Sequence, residues 1–129
     1  MKERLHRKHK NDPRLFVIDF TTEVSLYMDA SDILFTKPGG LSSTEAAVKG
    51  IPTIHTKPIP GWEENNIEFF RTHGLSLFGS SCDDLVTNAL YLLGNPWSRE
   101  AMVEAQNQTV NKFAARDICR RILDDAKNS

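Results

Sequence analysis

The chain has 129 residues, which is enough for one domain that buries roughly two thirds of its unfolded surface. Its net charge of −1, from 16 Lys and Arg against 17 Asp and Glu, argues against a general polyanion-binding protein. A hydrophobic content of 40% with 26% charged residues excludes disordered and low-complexity classes. Two cysteines without metal-ligand spacing, Cys82 and Cys119, are typical of a reducing, cytosolic protein.

Short apolar runs rich in strand-forming residues alternate with helix-like spacings from residue 15 to residue 79. The runs predict four strands, at residues 15–19, 33–35, 52–55 and 75–78. Apolar residues at helical spacing predict three intervening helices, at residues 24–30, 42–49 and 66–73. Gly50 and Gly74 are expected to end the last two of these helices. This alternation predicts a parallel α/β sheet with right-handed crossovers.

The remainder of the chain is predicted to be helical. Ser81 to Asp84 resembles a helix start, and an apolar stripe over residues 85–93 follows it. We expect this stripe and Trp97 to lie in the core, and the residues after the stripe to form two further helices. No internal repeat or linker marks a second domain, so residues 1–129 are predicted to form one domain.

Ligands of parallel α/β sheets bind in the loops at the carboxyl ends of the strands, and one of these loops carries the strongest signal. In the run TKPGGLSSTE at residues 36–45, Gly39 and Gly40 let the backbone approach a ligand closely. The free N–H groups and the dipole of the following helix suit a phosphate group, and the hydroxyl side chains of Ser42, Ser43 and Thr44 add donors beside them. A structural interpretation is also open, in which a tight turn precedes a capping box from Ser42 to Glu45.

The second signal is the run KPIPGWEENN at residues 57–66. Two prolines fix an extended approach, Gly61 permits a sharp turn, and polar or aromatic residues then precede a helix. Carboxylate and amide groups are what a site needs to hydrogen-bond sugar hydroxyls. Acidic residues at a helix start are equally explained as complements of the helix dipole.

These two motifs, at this separation, resemble the C-terminal domain of lipid glycosyltransferases. The family comprises the monogalactosyl- and diglucosyl-diacylglycerol synthases, which are relatives of the N-acetylglucosaminyltransferase that completes the peptidoglycan lipid precursor. The resemblance rests on PGGLSSTEA and PIPGWEE, is dense from Val17 to Gly79, and holds only in outline for the helical tail. It implies a GT-B architecture, in which two Rossmann-like domains enclose the substrates and the C-terminal domain holds a UDP-sugar donor.

The resemblance also implies a role for each matching residue. Phe20 and Thr21 would meet the uracil ring through backbone groups, and Glu45 would accept hydrogen bonds from both ribose hydroxyls. The other implied donor-binding residues are Gly39, Gly40, Leu41 and Ser42 around the diphosphate, and Gly61, Trp62, Glu63 and Asn66 near the sugar. The family usually has Gln where Trp62 stands and Gly where Asp19 stands. An indole can stack on a sugar face but lacks the hydrogen-bonding groups of an amide.

The same resemblance implies that the chain is part of a larger, inverting hexosyltransferase with a diacylglycerol-type lipid acceptor. The general base and the membrane-binding surface of such enzymes lie in an N-terminal domain, so we expect no catalytic residue in this chain. We expect UDP binding without transfer, a cytoplasmic location, and peripheral membrane association of the full enzyme. We expect no metal site, no cofactor beyond the UDP-sugar substrate, and no nucleic-acid partner. An exposed sheet edge would favour self-association.

Two alternatives to the donor-binding function are open to a chain of this sequence. A nucleotide-sugar-binding remnant or truncated gene product would share the fold and bind without catalysing. A receiver domain of a response regulator would share the run LFTKP at residues 34–38 and a similar length. The aspartates that precede Lys37 lie too close to it for the phosphoacceptor of such a domain, and the acidic magnesium-binding pair is missing. The receiver interpretation is therefore rejected.

Overall fold

The computed structural model describes residues 2–9 and 12–127, apart from the side chains of Lys2 and His6. This part of the chain forms a parallel sheet of three strands in the order β1-β2-β3, with helices before, between and after them. The elements are α1 (Lys2–His9), α2 (Val24–Asp29), β1 (Leu34–Thr36), α3 (Gly40–Lys49), β2 (Thr53–His55), α4 (Glu64–Thr72), β3 (Leu77–Phe78), α5 (Cys82–Gly94), α6 (Pro96–Thr109) and α7 (Ala114–Lys127). The predicted parallel α/β sheet and its helical tail are confirmed.

The register of the sheet brings the ends of β1 and β2 to the same edge. Leu34 pairs with Thr53 and Thr36 pairs with His55, so the loops that leave the two strands start side by side. All three residues of β2 are buried, as expected of a central strand that is covered on both faces. The sheet therefore places the loop before α3 next to the loop before α4.

The core consists of three small clusters around the sheet and its helices. Ala46 and Ala47 of α3 are fully buried, and their small side chains let α3 pack closely on its neighbours. Met28 of α2 joins the cluster of Ala46, while Phe70 of α4 joins that of Ala47. Ile54 of the central strand packs against residues of α5 and α6. The position of α3 is thus fixed by contacts with both α2 and α4.

The strand predicted at residues 15–19 is wrong. This segment has no strand structure, and the side chains of Leu15, Phe16 and Ile18 are exposed. At its start, the N–H of Leu15 donates to the carbonyl of Asp12 at 3.2 Å in a turn. A strand is stabilised by hydrogen bonds to a neighbouring strand, and an apolar run without such a partner does not form one.

The predicted burial of the apolar stripe in α5 and of Trp97 is wrong in part. Leu85 and Ala89 are half-buried against the core, but Val86, Leu90 and Leu93 are more than half exposed. Trp97 is 81% exposed at the start of α6. A helix buries only the side chains that face the sheet, and residues on its other sides stay in solvent whatever their polarity.

The predicted helix ends are confirmed, whereas the predicted start of α3 lies two residues too late. Gly50 adopts the left-handed conformation with φ 69°, which only glycine takes without strain, and it caps α3. Gly74 has φ 68° just beyond α4. The helix α3 begins at Gly40 instead of Ser42. Within the described ranges, no helix is long and apolar enough to cross a membrane.

Candidate functional site

Two contacts join the two motif-bearing loops at the carboxyl edge of the sheet. The side-chain Nδ2 of Asn66 donates to the carbonyl of Pro38 at 2.8 Å, and Pro38 is buried. A Cβ placed on Gly39 would lie 3.8 Å from the Oε1 of Glu63, so this carboxylate lies against the glycine turn. The loops singled out in the sequence therefore form one surface, as a parallel sheet requires.

The first turn of α3 has no side-chain cap. Gly39 precedes the helix in an extended conformation, with φ −73° and ψ 142°, and has no side chain to accept a hydrogen bond. The N–H groups of Gly40, Leu41 and Ser42 have no acceptor within the helix, because the first residues of any helix lack one. All three residues are exposed. Open N–H groups and the positive end of the dipole make this helix start suitable for an anion.

The alternative of a capping box from Ser42 to Glu45, left open by the sequence, is not what the structure shows. A capping box requires its hydroxyl residue to precede the helix, and Ser42 is the third residue within α3. Glu45 is exposed, and its side chain makes no hydrogen bond or ion pair with any residue that the structure describes. Its carboxylate is therefore available to a ligand, on the same side of α3 as Leu41, which precedes it by one helical turn.

The loop before α4 is held in shape by its own residues. Gly61 has φ 83°, a conformation that favours glycine, and the turn there brings Glu63 back to Ile59. The Oε2 of Glu63 accepts a hydrogen bond from the N–H of Ile59 at 2.8 Å. One carboxylate oxygen thus stabilises the loop, while the other faces Gly39. Trp62 is 85% exposed and is free to contact a ligand.

Phe20 and Thr21 lie before α2 and do not follow a strand. Phe20 is 96% exposed, and the Oγ1 of Thr21 accepts a hydrogen bond from the N–H of Glu23 at 3.0 Å. This bond helps α2 to begin, and α2 in turn packs on α3 through Met28 and Ala46. The segment is thus linked to α3 through α2, without the preceding strand that the sequence predicted.

Sequence reasoning missed a buried polar chain next to the first turn of α3. The ring of His55 lies 2.9 Å from the hydroxyl of Ser43 at Nε2 and 2.9 Å from the hydroxyl of Ser76 at Nδ1. Burial lowers the pKa of His55 to about 4, although the negative charge of Glu63 acts in the opposite direction. The ring is therefore neutral at pH 7. The hydroxyl of Ser43, expected on the ligand side, points into the fold instead.

The chain is similar in sequence to known glycosyltransferases. No protein-family model matches the chain. Over 124 residues the chain is 27% identical to the processive diacylglycerol beta-glucosyltransferase of Staphylococcus aureus strain Newman, and the same values hold for strain USA300. The match covers 96% of this chain and 32% of the relative, in its C-terminal part. The chain thus spans about a third of the length of the curated relatives it matches.

A solved structure shows the same fold. The crystal structure of the glycotransferase of kitacinnamycin superposes with a TM-score of 0.64 and 17% sequence identity, over 84% of this chain and 30% of that one. The fold is therefore that of part of a GT-B glycosyltransferase. The sequence similarity to the S. aureus enzymes confirms the resemblance to lipid glycosyltransferases that the motifs indicated.

Proposed function

We propose that this chain binds the UDP-sugar donor of a lipid glycosyltransferase at the edge where the loops before α3 and α4 meet. The observation that carries the proposal is the open start of α3, with the unpartnered carboxylate of Glu45 one turn further along. A nucleoside diphosphate matches both features, because it offers an anionic diphosphate and, next to it, a ribose with two hydroxyl donors.

The diphosphate would accept hydrogen bonds from the N–H groups of Gly40, Leu41 and Ser42. Gly40 favours this role because a Cβ on it would meet no atom within 4 Å and its φ is not positive. Nothing in the unliganded fold therefore requires glycine at this position, whereas close approach of a phosphate to the backbone does. Glu45 would accept both ribose hydroxyls, which a carboxylate with two oxygens can do.

The sugar and the base would lie on either side of the diphosphate. Trp62 and the free oxygen of Glu63 are the groups that the second loop offers to the sugar, and Gly61 gives this loop its turn. Asn66 would act indirectly, because its amide is already bonded to the Pro38 carbonyl. On the base side, the backbone at Phe20 and Thr21 would meet the uracil ring.

For the whole enzyme we propose inverting transfer of a hexose to a diacylglycerol-type acceptor. The S. aureus relatives are named for glucosyl transfer to diacylglycerol, and the chain matches about a third of their length. Inverting transfer needs a base at the acceptor hydroxyl and stabilisation of the departing diphosphate. Residues 1–129 would supply the second as part of a donor-binding domain. The acceptor, the base and peripheral membrane contact would belong to the region outside the match.

Isothermal titration calorimetry with UDP, UDP-glucose and UDP-galactose tests the donor-binding proposal. We expect saturable binding of UDP by the folded chain. The affinities for UDP-glucose and UDP-galactose then show which sugar is preferred. No heat with any of the three, in protein whose melting curve shows that it is folded, would contradict the proposal. Transfer assays with a diacylglycerol acceptor then separate a complete enzyme from a chain that binds only; we expect binding without transfer.

Self-association is a smaller part of the proposal. The strand β1 is at the edge of the described sheet, and its Phe35 is 47% exposed. An edge strand with an apolar neighbourhood can pair with a second chain. We expect a concentration-dependent increase in mass in light scattering, and a monodisperse monomer across the concentration range would count against it.

A further inference from the structure

A buried chain of three polar side chains lies inside the fold, beside the open start of α3. His55, the last residue of β2, is fully buried between Ser43 of α3 and Ser76, which lies just before β3. Each ring nitrogen lies 2.9 Å from a serine hydroxyl. Both serines are at most 5% exposed, so water does not compete for these hydrogen bonds.

These hydrogen bonds fix the orientation of the three side chains, which apolar packing alone would not do. A neutral imidazole donates from one nitrogen and accepts at the other, and each hydroxyl here has a ring nitrogen as its partner. The ring of Phe70 meets that of His55 edge-on, with 5.1 Å between ring centroids, and restricts its tilt. Buried polar groups must keep such partners, so the ring holds the side chain of Ser43 in one orientation.

The backbone of Ser43 belongs to the turn that would receive the diphosphate. Its N–H donates to the carbonyl of Gly39 at 3.1 Å, and this bond closes the first turn of α3. Between these two residues lie the three open N–H groups. Ser43 thus anchors the turn by its backbone at one end and by its side chain, through His55, to the central strand of the sheet.

We propose that His55 is a positioning residue, which acts through Ser43 to aim the first turn of α3 at a diphosphate. The inference rests on the proposed function, since it concerns the affinity of that same site. Hydrogen bonds to phosphate depend steeply on donor direction, and a turn that can rock loses part of each bond.

The two serines provide a matched pair of variants. Ser43→Ala and Ser76→Ala each remove one hydroxyl from the same ring, at similar burial, but only Ser43 lies in the turn. We expect both to lower the melting temperature by similar amounts. Ser43→Ala should weaken UDP binding about three- to tenfold, while Ser76→Ala stays within about twofold of the parent protein.

A second ligand separates positioning from general destabilisation. Uridine lacks the diphosphate, so its affinity, measured by NMR titration, should be the same in Ser43→Ala and in the parent protein. Equal loss of UDP affinity in both serine variants, or loss of uridine affinity in parallel with UDP, would overturn the inference. If Ser43→Ala does not fold, Ser43→Cys gives the same comparison, because a thiol is a weaker hydrogen-bonding group than a hydroxyl.

The outcomes also distinguish this inference from the proposal on which it rests. If the folded parent protein does not bind UDP, the donor-binding proposal fails and the role of His55 at the diphosphate fails with it. If the parent protein binds UDP and Ser43→Ala binds it equally well, only the positioning role is contradicted, and the polar chain is then purely structural.

Discussion

The helices α3 and α5 each follow a strand of the sheet, but their first turns are completed in opposite ways. At α5, the hydroxyl of Ser81 accepts from the N–H of Asp84, and the Asp84 carboxylate accepts from the N–H of Ser81, both at 3.1 Å. At α3, Gly39 offers no side chain and the first N–H groups stay open. One helix start is capped by its own side chains, and the other has no side-chain cap.

The difference shows why an anion is expected at one helix start and not at the other. All helices have free N–H groups and a positive dipole end, so these features alone do not distinguish α3 from α5. At α5 the N–H groups of Ser81 and Asp84 are occupied, and the negative charge of Asp84 would repel a phosphate. At α3 the donors are open, glycine permits close approach, and the carboxylate of Glu45 is placed one turn away from them.

The largest expected effect is on stability at acid pH, where His55, which is bonded to Ser43 in the first turn of α3, should respond at a higher pH than the cap of α5. Burial lowers the pKa of His55 to about 4, so between the unfolded value of 6.5 and that value the unfolded chain binds one more proton than the folded one. The folded-to-unfolded ratio therefore falls with decreasing pH by at most about a factor of ten per unit, and by about fortyfold from pH 6 to pH 4.

The cap of α5 should respond only at lower pH. Hydrogen bonds from Ser80 and Ser81 lower the pKa of Asp84 below 3.8, so its contribution is present above that value and is lost as the pH falls through the lowered pKa. Denaturant unfolding at a series of pH values measures both. His55→Gln should flatten the slope between pH 6 and pH 4, whereas Asp84→Asn should leave it. An unchanged slope in His55→Gln would contradict the account.

Loss of the free carboxylate on α3 should weaken donor binding next most strongly. Glu45→Ala is expected to reduce UDP affinity about ten- to hundredfold, because two hydrogen bonds to a charged group are lost. The melting temperature should not change, since Glu45 has no partner in the described fold. Glu100→Ala on α6 removes another exposed carboxylate and serves as the calorimetric control. A lower melting temperature with unchanged affinity would restore a capping role for Glu45.

Adding one methyl group at the open helix start should have a smaller effect. Gly40→Ala is expected to weaken UDP about tenfold without loss of stability, since the added Cβ meets no protein atom but would occupy the space of a phosphate oxygen. Gly94→Ala, at the end of α5, is the matched control because its Cβ also meets nothing within 4 Å. Equal UDP affinity in Gly40→Ala and the parent protein would argue against a diphosphate at this turn.

Removal of the α5 cap should give the reverse pattern. Ser81→Ala is expected to lower the free energy of unfolding by about 1 kcal/mol, the usual contribution of an N-cap hydroxyl. Its UDP affinity should equal that of the parent protein, because the closed helix start takes no part in binding. Denaturant unfolding and calorimetry on the same variant check both statements. Weakened UDP binding here would show that the two helix starts are not independent.

The smallest effect is expected at the exposed indole of the second loop. Trp62→Ala should leave the melting temperature and UDP affinity unchanged, because the side chain is 85% exposed. Affinity for the preferred UDP-hexose should fall a few-fold if the ring stacks on the sugar. Competition between UDP and the UDP-hexose in calorimetry measures the ratio directly. A variant whose ratio matches the parent protein would exclude Trp62 from sugar binding.

The sequence predicted the parts of the fold that depend on local pattern. The alternation of strands and helices, the parallel sheet and the glycine ends of α3 and α4 follow from spacing and turn chemistry. The strand predicted at residues 15–19 is wrong because an apolar pattern does not show whether a neighbouring strand is present, and a strand forms only with such a partner. The capping box was placed at Ser42 because its sequence pattern fits, but the glycines before it let the helix begin earlier.

Contacts between residues far apart in the sequence could not be predicted from residue spacing. His55 is 12 residues from Ser43 and 21 residues from Ser76, so nothing local connects them. The bond from Asn66 to the Pro38 carbonyl spans 28 residues and links the two loops, which no local pattern indicates. The site was predicted as two motifs, and the fold supplied the contacts that make them one surface.

The most direct test of the central claim is a titration of isotope-labelled protein with UDP, followed by amide chemical shifts. We expect the largest changes at Gly40, Leu41 and Ser42, whose N–H groups would bind the diphosphate. The amides of residues 82–84, at the closed start of α5, should not move. Binding of UDP with the shifts centred elsewhere, or with equal shifts at both helix starts, would contradict the account.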